Sequence, residues 1–250
     1  MSRPTAPFTE TLDPDLLLRA YAMGLFPMAD ARTADGVFWV EPRQRAVLPL
    51  DGFRLSRRLR RRIASDCFRV TADQAFDQVI ALCAEATADR PDTWINTSIE
   101  QVFRTLHRRG FAHSIEVWAD DRLVGGLYGL ALGRAFFGES MFSRATDASK
   151  VALAWLVARL RVGGFALLDC QFQTDHLASL GAVEIDRAAY SVLLAAALGD
   201  GVAGLLSGSA VVDGAFEALD DLRVGGVAGT TSVSAPVDGK VIAQLLGQTS

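Results

Sequence analysis

The sequence predicts a mixed fold of helices layered on a sheet, α+β or α/β in class, and three observations carry that expectation. Helix signals stand before, between and after short β-rich runs. The alternating run Ser114–Trp118, the turn pair Asp120-Asp121 and the run Leu123–Leu130 read as a hairpin. The strongly apolar helix signal Val151–Val162 lies between strand signals at 135–142 and 165–171.

The elements follow in order. Asp13-Pro14 opens a helix that runs to an exit at Gly24, with Asp13 as cap and Pro14 in the first turn. Phe26-Pro27-Met28 predicts a turn. Val37–Val40 and Ala46–Leu50 read as short strands around Glu41-Pro42. Ser56–Ile63 reads as a basic helix and Phe68–Thr71 as a strand. Phe76, Val79, Ile80 and Cys83 have helical spacing within 73–85. Ser98 is the expected cap of a helix over Ile99–Arg109, closed by Gly110. After the hairpin come a strand over 135–142, the apolar helix, a strand over 165–171 and a short helix from Asp175 to Leu180. A strand over 182–185 and a helix over 188–198 complete the pattern. The glycines of Leu123-Val124-Gly125-Gly126-Leu127-Tyr128-Gly129 predict a bulge or the close approach of a ligand.

From Gly199 onward glycine, alanine, serine and valine dominate and periodicity fades. The expected organisation is a small N-terminal αβ domain over 1–52, a larger αβ domain over 53–200, and a flexible extension over 201–250. Half of the 250 residues are hydrophobic and 22% are charged, the balance of a soluble globular protein. The three cysteines lack zinc-type spacing and predict a reducing compartment rather than a disulfide framework. No run approaches the ~18 apolar residues of a membrane span, and the start has no apolar signal core. A cytoplasmic protein is expected.

Two carboxylates stand out because each interrupts an apolar run. Glu139 lies in Phe136-Phe137-Gly138-Glu139-Ser140-Met141-Phe142, and Asp169 ends a run at Leu168-Asp169-Cys170-Gln171. A charge in such surroundings costs several kcal/mol unless partnered, which marks a site or a structural ion pair. Asp169 and Gln171, two apart on a strand, are expected to share a face, with Cys170 packed on the other. A carboxylate beside an amide can orient an amine, accept its proton or bond an oxyanion; a structural polar pair is the equal alternative. Glu139 could balance a buried arginine or receive a substrate ammonium. Phe137, Met141 and Leu127 could wall an apolar pocket around it.

Six arginines crowd into Arg54–Arg62: Arg54, Arg57, Arg58, Arg60, Arg61 and Arg62. Taken alone, the run reads as a solvated helix face; a phosphate-contacting patch is the sharper alternative. The strand–loop–helix layout at 135–160 is that of acyl-CoA enzymes, but the loop Ser143–Ser149 has no glycine to hold a pyrophosphate. His107, His113 and His176 have no ligand-like spacing, so no metal is expected.

These motifs, in order over residues 12–198, give the chain a family resemblance. Leu17-Leu18-Arg19-Ala20-Tyr21, Gly24-Leu25-Phe26-Pro27-Met28, Phe38–Arg43, Thr93-Trp94-Ile95, His113–Trp118, Leu123–Gly129, Phe137–Ser143, Asp147–Lys150, Asp169-Cys170-Gln171 and His176–Gly181 make it resemble the leucyl/phenylalanyl-tRNA–protein transferases. That family often carries tryptophan where this chain has Met28. The resemblance implies a small N-terminal domain joined to a larger acetyltransferase-like domain. It implies transfer of leucine or phenylalanine, with methionine as a third candidate, from aminoacyl-tRNA to the α-amine of proteins that begin with arginine or lysine. The product then carries an N-terminal degradation signal, and no ATP, metal or CoA takes part. By the same resemblance Asp169 and Gln171 are the catalytic pair. Leu127, Phe136, Met141, Ser143 and Leu168 form the side-chain pocket beside Glu139, and Trp94 lies near the terminal adenosine. Arg54, Arg57, Arg58, Arg61 and Arg62 then read as the tRNA backbone patch. A monomer with no membrane partner is expected. The competing readings are an acyl-CoA-dependent N-acetyltransferase and a silent tRNA-binding module.

Overall fold

A computed structural model describes residues 12–86, 92–199, 214–222 and 237–247. Helix α1 (Pro14–Ala22) starts at Asp13, whose carboxylate accepts the Asp15 amide. Strands β1 (Phe26–Met28) and β2 (Phe38–Val40) form an antiparallel ribbon, with Pro27 opposite Trp39. Phe-Pro-Met is therefore a strand and not the expected turn; a two-stranded ribbon leaves room for a proline that donates no hydrogen bond. Strand β3 (Gln44–Val47) and a single 3-10 turn (Leu50–Gly52) lead to α2 (Arg57–Ala64), capped by Ser56 on the Leu59 amide.

Strand β4 (Arg69–Ala72) and helix α3 (Phe76–Cys83) follow. The helix is shorter than expected because Asp73 adopts φ 57° and spends its carboxylate on His113 and the Ser114 amide. Helix α4 (Thr97–Arg108) is capped by Asn96, which accepts from Ile99, and not by Ser98. Then come β5 (Ala112–Ala119), β6 (Arg122–Leu132), β7 (Ala135–Ser143), α5 (Ala148–Val162), β8 (Leu167–Gln171), α6 (Asp175–Ser179), β9 (Val183–Asp186) and α7 (Arg187–Leu198). Short helices α8 (Ala218–Asp221) and α9 (Gly239–Gly247) complete the described residues.

The sheet runs β4-β5-β6-β7-β8-β3-β9, with β7 and β8 parallel and every other neighbouring pair antiparallel. Strand β3 thus lies inside the large sheet, so the boundary expected near residue 52 falls beyond a strand that the sheet already contains. One apolar cluster packs α5, α2 and α9 on one face of the sheet. A second packs α1, α3, α4 and α7 on the other. The β6 glycines serve this packing. A Cβ on Gly125 would lie 2.6 Å from the Ala148 Cβ at the start of α5, and one on Gly129 would lie 2.4 Å from the Phe136 ring. The expected bulge is present as a register shift between Tyr128 and Gly129, and the close approach is made by the protein's own helix and ring rather than by a ligand.

The expectation of a flexible 201–250 does not describe residues 214–222 and 237–247. Phe216, Leu219, Ile242 and Leu246 are buried in the same cluster as α5. The side chain of Arg159 (α5) donates to both Asp220 carboxylate oxygens at 2.6 and 3.0 Å and to the Phe216 carbonyl at 2.9 Å. Ile242 and Leu246 lie one helical turn apart and share a face. The segment is poor in aromatic residues, and of its apolar ones Phe216, Leu219, Ile242 and Leu246 face inward while Leu222 and Val241 are exposed. The rest of that extension, like residues 1–11, lies outside the described residues.

Candidate active site

Pairing of β7 with β8 runs from Ala135↔Leu167 to Phe137↔Asp169 and stops there. Where it stops, a cavity of about 290 Å³ opens, near the lower end of small-molecule sites, about 300 Å³. Its apolar wall includes Leu127, Met141, Leu153, Leu156 and Leu168, and Glu139 and Gln171 supply polar groups. Trp94, Phe172 and His176 also line it.

Asp169 does not line this cavity. It is fully buried and its carboxylate is saturated. Arg45 donates from Nε at 2.9 and 3.1 Å and from Nη2 at 2.6 Å, Tyr190 donates its hydroxyl at 2.8 Å, and the Gln171 amide donates at 2.8 Å. Arg45 also reaches the Gly24 carbonyl and lies between the rings of Phe26 and Tyr190, 4.7 and 4.5 Å from their centroids. The ion pair is desolvated on all sides, and such a pair survives only with complete hydrogen bonding.

Gln171 adopts a left-handed backbone, φ 61°. That breaks the strand alternation, so Cys170 and Gln171 both line the cavity while Asp169 faces away, toward α7. The expectation that Asp169 and Gln171 share a face, with Cys170 opposite, is corrected on this ground. Burial and the neighbouring Asp169 carboxylate push the Cys170 thiol up, leaving it protonated and unreactive.

Glu139 bridges the gap that the strands leave. Its Oε1 accepts from Tyr21 at 2.7 Å and from Gln171 Nε2 at 2.9 Å, while Oε2 is buried without a hydrogen-bond partner. Burial raises its carboxyl from the ordinary 4.5 to about 8, against the pull of those two donors. Burial, with Glu139 beside it, raises the Tyr21 phenol, and burial together with Asp169 raises that of Tyr190. Both tyrosines therefore remain donors. Since Nε2 of Gln171 points to Glu139, its Oε1 is the atom left to accept a bond from a bound group. Burial, and then the charge of Lys150, lowers His176 and keeps its imidazole neutral.

Of the residues expected in the pocket, Leu127, Met141, Leu168, Glu139 and Trp94 line the cavity. Phe136 does not; it is buried beneath it, against Phe165 and Phe216. Ser143 ends β7, where its hydroxyl donates to the Ala145 carbonyl, and it lines a neighbouring hollow with Met141 and Arg144. Glu139 neither pairs with the buried arginine nor stands open; Asp169 takes Arg45. Arg57, Arg58 and Arg61 are exposed on α2, and Arg54 is exposed just before it. Arg62 is half-buried over the Phe68 ring. Arg58 joins this helix to the start of α5 through Asp147 at 3.4 Å, and Lys150 reaches the same carboxylate at 3.3 Å.

Sequence reasoning missed Arg45, Tyr190 and Tyr21, which hold Asp169 and Glu139. The signal for Arg45 was available: one cation directly before Ala46-Val47-Leu48 requires a buried carboxylate.

A preset carboxamide at the edge of an apolar cavity is the layout of an enzyme site. The family model described as leucyl/phenylalanyl-tRNA protein transferase matches residues 47–195, and that of the same proteins' N-terminal domain matches residues 10–43. The leucyl/phenylalanyl-tRNA–protein transferase of Rhizorhabdus wittichii is 60% identical over 96% of this chain and all of its own length. That of Zymomonas mobilis is 65% identical over 73% of this chain and 68% of its own, and that of Paramagnetospirillum magneticum is 60% identical over 76% and 90%. This chain belongs to the leucyl/phenylalanyl-tRNA–protein transferase family. The solved structure of L-PGS from Bacillus licheniformis aligns with a TM-score of 0.37 at 12% identity, over 64% of this chain and 53% of that one, too slight a likeness to carry an argument.

Proposed function

We propose that this protein transfers leucine or phenylalanine from aminoacyl-tRNA to the α-amine of proteins that begin with arginine or lysine, and so creates a degradation signal. Family membership supports the reaction. The geometry of Gln171 beside the apolar cavity supports the assignment of the site. The larger domain is read as acetyltransferase-like, and the protein as a cytoplasmic monomer. Among the described residues no helix is long and apolar enough to cross a membrane.

The aminoacyl ester is already activated, so the work of the site is positioning. The apolar wall formed by Leu127, Met141, Leu153 and Leu156 takes the amino-acid side chain and keeps water from the ester. Gln171 Oε1 accepts an N–H of the incoming α-amine and aims its lone pair at the ester carbonyl. The C–N bond forms as the bond from the carbonyl carbon to the ribose oxygen breaks, and the amine proton passes to the departing oxygen. Glu139 fixes the carboxamide from one side, and Asp169 fixes the backbone of Gln171 from the other. Asp169 is thus a positioning residue, and the residue that touches substrate is Gln171. Trp94 offers a face for the terminal adenine, and the α2 arginines offer charge for the tRNA backbone.

The acyl-CoA reading meets a specific obstacle. Asp147, with its side chain nearly buried, sits at the start of α5, where a pyrophosphate would need the helix amides. The test is transfer of labelled leucine from Leu-tRNA to a peptide that begins with arginine, with an N-acetylated twin as control. Label on the free peptide alone is expected. Label on neither, with acetyl transfer from acetyl-CoA, would reverse the reading.

A further inference from the structure

We propose that Phe216, from the C-terminal segment, sets the depth of the amino-acid cavity by holding Phe136 as its floor. The inference rests on the reading of that cavity given above.

Phe136 is surrounded by cavity residues without lining the cavity itself. It pairs with Leu168 on β8 and stands two residues before Gly138 on β7, and both of these line the space. Its ring fills the room left by Gly129, two residues along β6 from Leu127. Gly138 and Gly129 contribute no side chain, so the Phe136 ring is the barrier between the cavity and the core behind it.

What lies behind that ring is Phe216. The two rings are nearly parallel, 11° apart with centroids 5.8 Å apart. The Phe216 ring also stacks on His113 at 4.0 Å and lies under the Arg159 guanidinium at 5.0 Å. Phe216 cannot retreat, because its backbone is tied on both sides. Its carbonyl accepts from Arg159 at 2.9 Å, the Ala215 amide donates to Gly163, and the Gly214 amide donates to Gly133. A segment that carries almost no aromatic residues has placed one where the floor needs a backing. Removing it frees room behind the Phe136 ring, which can then move away from the cavity and deepen it, and this favours the longer, planar side chain of phenylalanine over leucine.

The test uses the full-length protein and two non-hydrolysable probes, the 3′-leucylamido and 3′-phenylalanylamido derivatives of 3′-deoxyadenosine. Dissociation constants are measured for the wild type, Phe216→Leu and Phe216→Ala, with folding verified by near-UV circular dichroism. The ratio of the two constants is expected to shift toward the phenylalanine probe by about tenfold in Phe216→Ala, the order that small size differences carry in apolar pockets. A smaller shift in the same direction is expected in Phe216→Leu, which serves alone if the alanine variant does not fold. An unchanged ratio in a folded variant overturns the inference, because a purely structural role would weaken both probes alike. A wild type that binds neither probe overturns the reading of the cavity itself, and the inference with it.

Discussion

The backbone amide of Gln171 donates to the carboxylate of Asp169 two residues earlier, at 2.8 Å, while Gln171 itself is held at φ 61°. One hydrogen bond thus separates two roles that sequence spacing had merged. Asp169 faces the interior and holds the turn; Gln171 faces the cavity.

The roles separate on mutation. Asp169→Ala leaves Arg45 buried without its partner and is expected to lower stability by about 3–5 kcal/mol in denaturant unfolding. Gln171→Asn keeps an amide and a residue tolerant of the left-handed region, but its carboxamide falls short of the cavity. Transfer should drop about 10²-fold, with the unfolding midpoint nearly unchanged. Equal stability losses in the two variants would contradict this division.

Glu139 makes stability depend on pH with a definite sign. Its carboxyl is raised from 4.5 to about 8, so between these values the folded state binds more proton than the unfolded one. Its contribution is complete below pH 4.5 and declines as pH rises toward 8, with a slope of up to about 1.4 kcal/mol per pH unit. Glu139→Gln should remove that part of the decline. Unfolding curves at pH 5 and pH 8 for both proteins measure it, and identical pH dependence would be the contrary result.

Gly138 tests the cavity directly. A Cβ placed there meets its nearest atom, the Asp169 carbonyl oxygen, at 3.5 Å, an ordinary contact. Gly138→Leu should therefore fold and fill the cavity with its own side chain. Transfer of leucine is expected to fall more than tenfold while binding of uncharged tRNA persists; undiminished transfer would mean that the amino acid sits elsewhere.

The exposed arginines of α2 are tested by salt. Replacing Arg57 and Arg61 together with alanine should weaken tRNA binding, and should lower the slope of log affinity against log salt by about 1 for each phosphate that is no longer neutralised. A slope equal to that of the wild type would leave these side chains as a solvated face.

Much of the fold was legible because its causes are local. Asp13 and Ser56 cap the helices they were expected to open, and the hairpin across Asp120-Asp121 follows from alternation. Errors arose where a distant group competes for a local signal. Asp73 is drawn from a helix start to His113, and Asn96 takes the cap expected of Ser98. Phe26–Met28 becomes a strand only because β2 lies beside it. The site was half legible. Apolar runs exposed Glu139 and Asp169, but the left-handed turn at Gln171 carries no mark in Leu-Asp-Cys-Gln. The partnership of Arg45 with Asp169 spans 124 positions. The packed part of the C-terminal segment was hidden by composition, since glycine, alanine, serine and valine surround the large apolar residues that carry it.

The insertion of β3 between β8 and β9 has a consequence for synthesis on the ribosome. The strand that bears Arg45 is made early, yet both of its sheet neighbours are made more than 120 residues later, and the last donor to Asp169 is Tyr190. Contacts of such sequence separation form late and slowly. A nascent chain that stops before Tyr190 therefore lacks the last hydrogen bond to the carboxylate that holds the Gln171 backbone. The surroundings of Gln171 are completed with the closing of the sheet rather than growing with chain length.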